Sequence, residues 1–383
     1  MKIRSWKFRI YPSNVQEEEL NAHLHYCKNI WNNLLSYTKK YYGKTRKFPA
    51  RKELYLQVKG AGIFSQVAQN VADRLAKSLG LMLSKKKAGI KTGFPRFKSM
   101  ERVKSFTYAQ FGFKLDEKLE LSRIGAIPIK KHRSIKGRIK TLTIKKFPSR
   151  KWFAIFTSEI DEVPVPKKHG FAVGIDLGIE NFAYLSDGRA IENPRHIRVS
   201  EEKLKSAQQK LSKKKKGSKN RDRMRFRVAR AFEKLANKRR DFLHKTTRSL
   251  VNEYSLIAME NLNVHRMAQG FLAKSILDCG WAEFTGMIRY KAEEAGSEVV
   301  LINPANTSQT CSSCSLVQKK SLAERWHSCI CGASMHRDLN AAINILQRAT
   351  GGTPGSQACR EETATNCNPN GQVSSVKQEA TSI

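Results

Sequence analysis

A chain of 383 residues has room for two or three domains, each able to bury a core of its own. Lysine and arginine total 71 against 33 acids, a formal charge of +38, which predicts nucleic acid as the partner, although a solvated basic surface would give the same count. The sequence holds no apolar run near the ~20 residues of a membrane helix and no signal-peptide core at its start. It therefore predicts a soluble intracellular protein and excludes a membrane-spanning helix.

The first predicted element is a half-buried strand over residues 2–11, with Trp6, Phe8 and Ile10 on one face and Lys7 and Arg9 on the other. Ser13 and Gln16 then have capping-box spacing, and Leu20, Leu24, Ile30, Trp31, Leu34 and Leu35 follow at helical intervals. A second helix is predicted near 65–86, striped by Val67, Val71, Leu75, Leu79 and Leu83, and it runs into a basic loop at 85–93. From about 104 to 160 the pattern changes to short alternating runs, including Ile139–Phe147 and Trp152–Ile160. These predict a small antiparallel barrel that the amino-terminal strand joins. Trp6, Tyr11, Tyr108 and Phe111 are aromatics that could stack on bases, with core packing the commoner fate. Pro164-Val-Pro166 reads as a stiff linker.

Beyond the linker the pattern is mixed α/β. Strands are predicted at 171–177, 180–186, about 190–199, 255–260 and 297–302, and helices near 200–250, 275–295 and 338–349. The 200–250 stretch carries 19 Lys/Arg against five acids and reads as two helices broken at Lys213–Gly217, with Val228, Phe232, Leu235, Phe242, Thr246 and Leu250 on the packed stripe. Residues 351–383 are poor in aliphatics and are expected to be disordered.

Four of the eight cysteines fall within 21 residues. Cys311 and Cys314 form a CxxC pair, Cys329 and Cys331 a CxC pair, and Gly332 suits the turn after it. Two such pairs can close a tetrahedral thiolate site, for which zinc is the fitting ion; a full shell would make that zinc structural. A redox dithiol is the competing reading, and His327 and His336 are alternative ligands.

Three acids stand at the ends of hydrophobic elements: Asp176 after a predicted strand core, Glu260 closing a later strand, and Asp338 opening the last helix. Converging carboxylates hold hard divalent ions such as Mg²⁺ or Mn²⁺, and a pair of such ions supports in-line phosphodiester hydrolysis. Gly174 and Gly178, on either side of Asp176, would leave room for substrate. Each acid alone is more often a turn or cap residue, and the Gly174–Gly178 string is also compatible with the phosphate loop of actin-like ATPases.

In chain order, Gly93-Phe-Pro-Arg-Phe-Lys98, Gly174-Ile-Asp-Leu-Gly178, Glu260-Asn-Leu262, Thr307-Ser-Gln-Thr-Cys-Ser-Ser-Cys314, Cys329-Ile-Cys-Gly332 and Arg337-Asp-Leu-Asn-Ala-Ala342 form a set. The set resembles the TnpB family of transposon-encoded RNA-guided DNA endonucleases, which are similar to type V CRISPR effectors. The resemblance covers about 1–350.

It implies a multidomain α+β fold: an amino-terminal β-barrel (wedge-like, 1–12 and 99–166) with an inserted helical recognition domain (13–98), then an RNase H-like, RuvC-like nuclease domain (167–306 and 335–350) with an inserted zinc-binding target-nucleic-acid module (307–334). Asp176, Glu260 and Asp338 would be the catalytic Mg²⁺ or Mn²⁺ ligands, and Cys311, Cys314, Cys329 and Cys331 the structural Zn²⁺ ligands. A guide RNA from the transposon end and target DNA would be the partners of a monomer in the prokaryotic cytoplasm, associated with the nucleoid. Two positions depart from the family: Ser315 stands where Gly is usual, and His336 where an acid is common. The retained acids favour an active nuclease over a nuclease-inactive, repressor-like RNA-guided DNA-binding protein. A transposase acting directly in strand transfer is a third reading, against which the sequence shows no catalytic Tyr motif with a paired His.

Overall fold

Alternation of apolar and polar residues makes Lys2–Ile10 a strand (β1), and Trp6, Phe8 and Ile10 are buried while Ile3 is 72% exposed. The computed structural model describes residues 2–161, 165–270, 272–321 and 324–351. Pro164 of the expected linker and residues 352–383 of the expected disordered tail lie outside them. The chain divides into two units, Met1–Val163 with Arg225–Arg230, and Pro164–Met224 with Ala231–Ile383.

In the first unit β1 leads into α1 (Asn14–Thr45), whose start is secured by Ser13 accepting from the Gln16 N–H while Gln16 accepts from the Ser13 N–H. α2 (Arg51–Leu56), which the sequence analysis did not anticipate, and α3 (Ser65–Lys87) follow. In α3 the stripe runs Val67, Val71, Leu75, Leu79 and then Met82, so Leu83 is 40% exposed. A helix turns 100° per residue, and Met82 at i+3 from Leu79 keeps to the buried face.

Strands β2 (Ser105–Tyr108), β3 (Phe113–Leu115), β4 (Lys118–Leu121), β5 (Gly125–Lys130), β6 (Arg138–Lys146) and β7 (Trp152–Ile160) join β1 in a seven-stranded, all-antiparallel, nearly closed sheet ordered β2-β6-β7-β1-β5-β4-β3. β1 pairs along its full length with β7, Trp6 opposite Phe156, although α1–α3 lie between them in sequence. Trp6 and Tyr108 are buried in this core with Phe8, Phe106, Trp152 and Phe156, whereas Tyr11 and Phe111 are 50% and 68% exposed. Each fully buried side chain of this size contributes roughly 1.5–3 kcal/mol relative to exposure.

The second unit is built on β8 (Ala172–Leu177), β9 (Asn181–Leu185), β10 (Ala190–Glu192), α4 (His196–Ser212), α5 (Lys219–Glu253, apart from Arg225–Arg230), β11 (Leu256–Glu260), α6 (Val264–Met267), α7 (Ala273–Cys279), α8 (Trp281–Ala295), β12 (Glu298–Ile302), β13 (Trp326–Ser328), β14 (Ser334–His336) and α9 (Arg337–Thr350). Five strands form a mixed sheet, β10-β9-β8-β11-β12, in which β8, β11 and β12 are parallel and the β8-β9-β10 pairings antiparallel. Val173, Ile175, Ile257 and Met259 face a core that includes Leu243, Leu250, Phe284 and Ile288, while Ala258 and Ile302 meet Ile345 of α9. The parallel strands are thus covered on both faces, which is why they read as continuous apolar runs.

Three sequence expectations shift here. The strand expected over about 190–199 ends at Glu192, and a helix begins at His196. Pro194 cannot donate to a ladder, and Asn193 turns the chain by accepting from the Arg195 N–H and donating to the Ile179 carbonyl. The helix expected over 275–295 is two, α7 and α8, because Gly280 at φ +71 ends one and starts the next. On α5, Phe232 is 44% exposed and Thr246 half-buried, while Leu243, Thr247, Leu250 and Val251 form the buried stripe.

Candidate metal centre and cysteine cluster

Strand geometry decides which face the acids take. Successive side chains alternate, so with Val173, Ile175, Ile257 and Met259 on one face, Gly174, Asp176, Ala258 and Glu260 share the other. β8 and β11 are parallel with Ala258 opposite Gly174 and Met259 opposite Ile175, and one further step of that register sets Glu260 beside Asp176.

α9 covers this face at close range. A Cβ on Gly174 would lie 2.1 Å from the Ala342 carbonyl oxygen and 2.8 Å from the Leu346 nitrogen. From that crossing Asp338 is one helical turn back, ~6 Å, and Asp176 is two strand residues on, ~6.6 Å. The two acids accordingly feel each other. Burial first, then the negative charges of Glu260 and Asp338, push the Asp176 carboxyl well above the usual carboxylate range, with Arg337 opposing. Burial also raises Glu260, against the hydroxyl of Thr307 and the charge of Arg348. Burial resists ionisation of Asp176 and Glu260, the charges of Glu260 and Asp338 add to it at Asp176, and three hard oxygen donors placed in this way fit a divalent cation. Asp338 is in the first turn of α9, 16% exposed, where the helix dipole favours an anion.

The two glycines serve packing rather than substrate access. Gly174 admits α9, and a Cβ on Gly178 would meet the Asn181 carbonyl oxygen at 2.7 Å within the β8–β9 turn. His336, at the position where an acid was expected, caps α9: its Nδ1 accepts from the Asp338 N–H at 3.3 Å. Its ring stacks on Tyr184 with centroids 4.6 Å apart, and Tyr184 is the cross-strand partner of Asp176.

Among the described residues, the side chains gathered to metal-holding distance are Cys311, Cys314, Cys329 and Cys331, whose sulfurs all lie within 4.8 Å of one another. Cys311 Sγ is 3.7 Å from Cys331 Sγ, and Cys314 Sγ 3.5 Å from Cys329 Sγ. Bonds of ~2.3 Å in a tetrahedron set sulfurs ~3.8 Å apart, so the quartet fits zinc; a disulfide would need ~2.05 Å. Burial resists ionisation of Cys311, but the N–H groups of Cys314 and Ser313 and the neighbouring His327 outweigh it and bring the thiol down to about 6. Neither histidine belongs to the quartet: His327 is fully buried with Lys320 Nζ at 2.5 Å from its Nδ1, and His336 is the cap just described. Ser315, where Gly was expected, has φ +65, and its N–H closes the turn onto the Cys311 carbonyl at 2.9 Å.

Sequence reasoning did not single out the polar strip that ties this cluster to α9. Asn340 accepts from the Ser312 N–H and donates to the Thr310 carbonyl, Asn344 donates to the carbonyls of Thr307 and Thr310, and Gln347 donates to that of Ser312. Asn340 and Asn344 are buried. Their signal was polar residues recurring at helical spacing on the face of an otherwise apolar helix.

The fold and these two clusters define a multidomain α/β protein with carboxylates at a parallel strand end and a four-cysteine knuckle beside its last helix. Family models match residues 155–270 ("Probable transposase", of the OrfB type of IS605), 281–345 ("Cas12f1-like, TNB domain") and 1–47 ("Helix-turn-helix domain"). Within that last range the described residues form one strand and a single 32-residue helix. The chain is 30% identical to a Streptomyces pristinaespiralis protein named as an RNA-guided DNA endonuclease, over 90% of this chain and 88% of that one. It is 28% identical to the Escherichia coli K12 protein InsQ, also named as an RNA-guided DNA endonuclease, over 90% and 92%. Among solved structures, a Cas12f1–sgRNA–target DNA complex matches with a TM-score of 0.57 at 14% identity, over 90% of this chain and 98% of that one, a likeness of fold. The chain belongs to the TnpB family, the IS605 OrfB transposases.

Proposed function

We propose that this protein is a transposon-encoded RNA-guided DNA endonuclease, hydrolysing phosphodiester bonds at a guide-complementary target beside a short recognition motif. The observation that carries the reading is the adjacency of Asp176 and Glu260 on parallel strands with Asp338 one helical turn from the Gly174–Ala342 crossing, in a chain whose relatives are named as such endonucleases. On this reading the second unit is an RNase H-like, RuvC-like nuclease domain, and the cysteine knuckle a zinc-stabilised module inserted before its last helix. The nearly closed sheet and the helices α1–α3 of the first unit are the wedge-like and recognition domains.

Asp176, Glu260 and Asp338 would hold Mg²⁺ or Mn²⁺, which supplies activation of water and stabilisation of the leaving oxygen. The chain's own residues do the rest. Asp176 and Glu260 would hold the cation from neighbouring strands, and Asp338 would present its carboxylate from a helix amino terminus. Exposed Lys85, Lys86 and Lys87, and Lys213 through Lys216, offer phosphate contacts that need no base sequence, so guide pairing supplies the specificity.

The test is to purify the protein without nuclease treatment, sequence its bound RNA, and assay a matched DNA with Mg²⁺ or Mn²⁺. A discrete RNA and cleavage that Asp176→Ala abolishes while RNA binding persists are expected. A heterogeneous RNA, or cleavage retained in Asp176→Ala, overturns the reading. A discrete RNA with no cleavage under either ion would leave a guided binding protein instead.

A further inference from the structure

Glu260 is the acid of the trio held by a neutral side chain from outside its own strand. The Thr307 hydroxyl donates to Glu260 Oε1 at 2.5 Å, with the Pro304 carbonyl a longer second acceptor at 3.1 Å. Thr307 is 4% exposed, so no bulk water competes for that hydroxyl. Its backbone is also fixed: Asn344 Nδ2 donates to the Thr307 carbonyl at 2.9 Å and to that of Thr310 at 2.6 Å, and Arg348 Nη1 reaches the carbonyls of Asn303 and Ala305. Asn344 and Arg348 belong to α9, the helix that carries Asp338. The loop from β12 to Cys311 is thereby bound to the same helix that contributes the third acid.

We propose that Thr307 is a positioning residue for the metal centre, fixing the rotamer of Glu260 so that one carboxylate oxygen is engaged by the hydroxyl and the other is turned towards Asp176 and Asp338. This rests on the reading of the three acids as a divalent-metal site and assigns to it a residue outside the three acids, one that acts through Glu260. A carboxylate beside the negative charge of Asp176 has an electrostatic reason to swing away; a buried hydroxyl, anchored through Asn344, removes that freedom before a cation arrives. The arrangement has the form of an outer hydrogen-bond partner that orients a metal ligand, the kind whose loss weakens metal binding by roughly 10–100-fold.

The experiment is Mn²⁺ titration of the full-length, zinc-loaded protein, followed by calorimetry and by the electron paramagnetic resonance of free Mn²⁺. Thr307→Val, Thr307→Ser, Glu260→Gln, Asp176→Ala and the double variant Thr307→Val/Glu260→Gln are compared with wild type. Thr307→Val keeps the shape and loses the hydroxyl, and is expected to weaken Mn²⁺ binding by roughly tenfold or more, with Thr307→Ser restoring it. In the Glu260→Gln background, Thr307→Val is expected to add no further loss. In cleavage assays the defect should be reduced by raising Mn²⁺. Should Thr307→Val fail to fold, as judged by circular dichroism, Thr307→Ala takes its place with the same outcomes.

Wild-type Mn²⁺ affinity in Thr307→Val, or an equal loss with and without Glu260, overturns the positioning role. Wild-type affinity in Asp176→Ala instead overturns the metal-site reading itself, so the two failures are distinguishable.

Discussion

Gly174 of β8 and Ala342 of α9 meet backbone to backbone, leaving 2.1 Å between the position of a Cβ on the strand and the carbonyl oxygen of the helix. This crossing determines how far Asp338 stands from Asp176, since both acids are reached from it by fixed backbone advances.

Gly174→Ala should therefore be far more damaging than its single methyl suggests. The obstacle is main chain, which cannot rotate away, so a loss of about 1–3 kcal/mol or more is expected, together with displacement of α9. Denaturant unfolding checks the first effect and Mn²⁺ affinity the second. Gly188→Ala is a control for a glycine whose Cβ meets nothing within 4 Å; its φ of +91 makes any loss one of backbone strain, with Mn²⁺ binding unchanged.

Without divalent ions, Asp176→Asn should stabilise the fold at neutral pH. Burial and the charges of Glu260 and Asp338 raise the folded-state pKa of Asp176 above its unfolded value, so the native state binds that proton more tightly. Stability then falls as pH rises from the unfolded towards the folded pKa, and the ionised carboxylate is a net cost above it. The melting temperature of Asp176→Asn should exceed that of wild type near pH 7 in chelator, and the gap should close on acidification. Mn²⁺ should raise the melting temperature of wild type and leave that of the variant nearly unmoved. A variant less stable than wild type at neutral pH in chelator would contradict this.

The cysteine quartet should contain about one zinc. Elemental analysis of Cys311→Ser should show its loss, and hydrogen exchange should rise across 307–336, where Cys311 is the buried member of the cluster. Retention of zinc in that variant would mean that the quartet is not the ligand set.

Ser315→Gly should stabilise the protein by about 1 kcal/mol, because φ +65 places a Cβ in the left-handed region that glycine enters freely. Ser315→Val, β-branched at the same φ, should be destabilising. Thermal melts of the zinc-loaded proteins read both.

Much of the fold was legible because apolar periodicity is a local property. The alternation of Trp6, Phe8 and Ile10, the capping box of Ser13 and Gln16, and the apolar runs before Asp176 and Glu260 all mark elements that the structure contains. The misreadings came where one residue overrode a pattern: Pro194 stopped a strand, Gly280 divided a helix, and Met82 replaced Leu83 on the packed face.

By itself the sequence determined most of the longer elements, the family and which acids and cysteines were candidates, since each is written in residue type and spacing along a few turns or strand residues. Only the tertiary structure decided what stands between them. The Thr307–Glu260 bond spans 47 positions, the Tyr184–His336 stack spans two sheets, and Asn340 and Asn344 bind a loop from the opposite side of the cysteine cluster. Such contacts depend on strand register and on the approach of α9 that Gly174 permits. Those are properties of the folded chain as a whole, and no window of the sequence contains them.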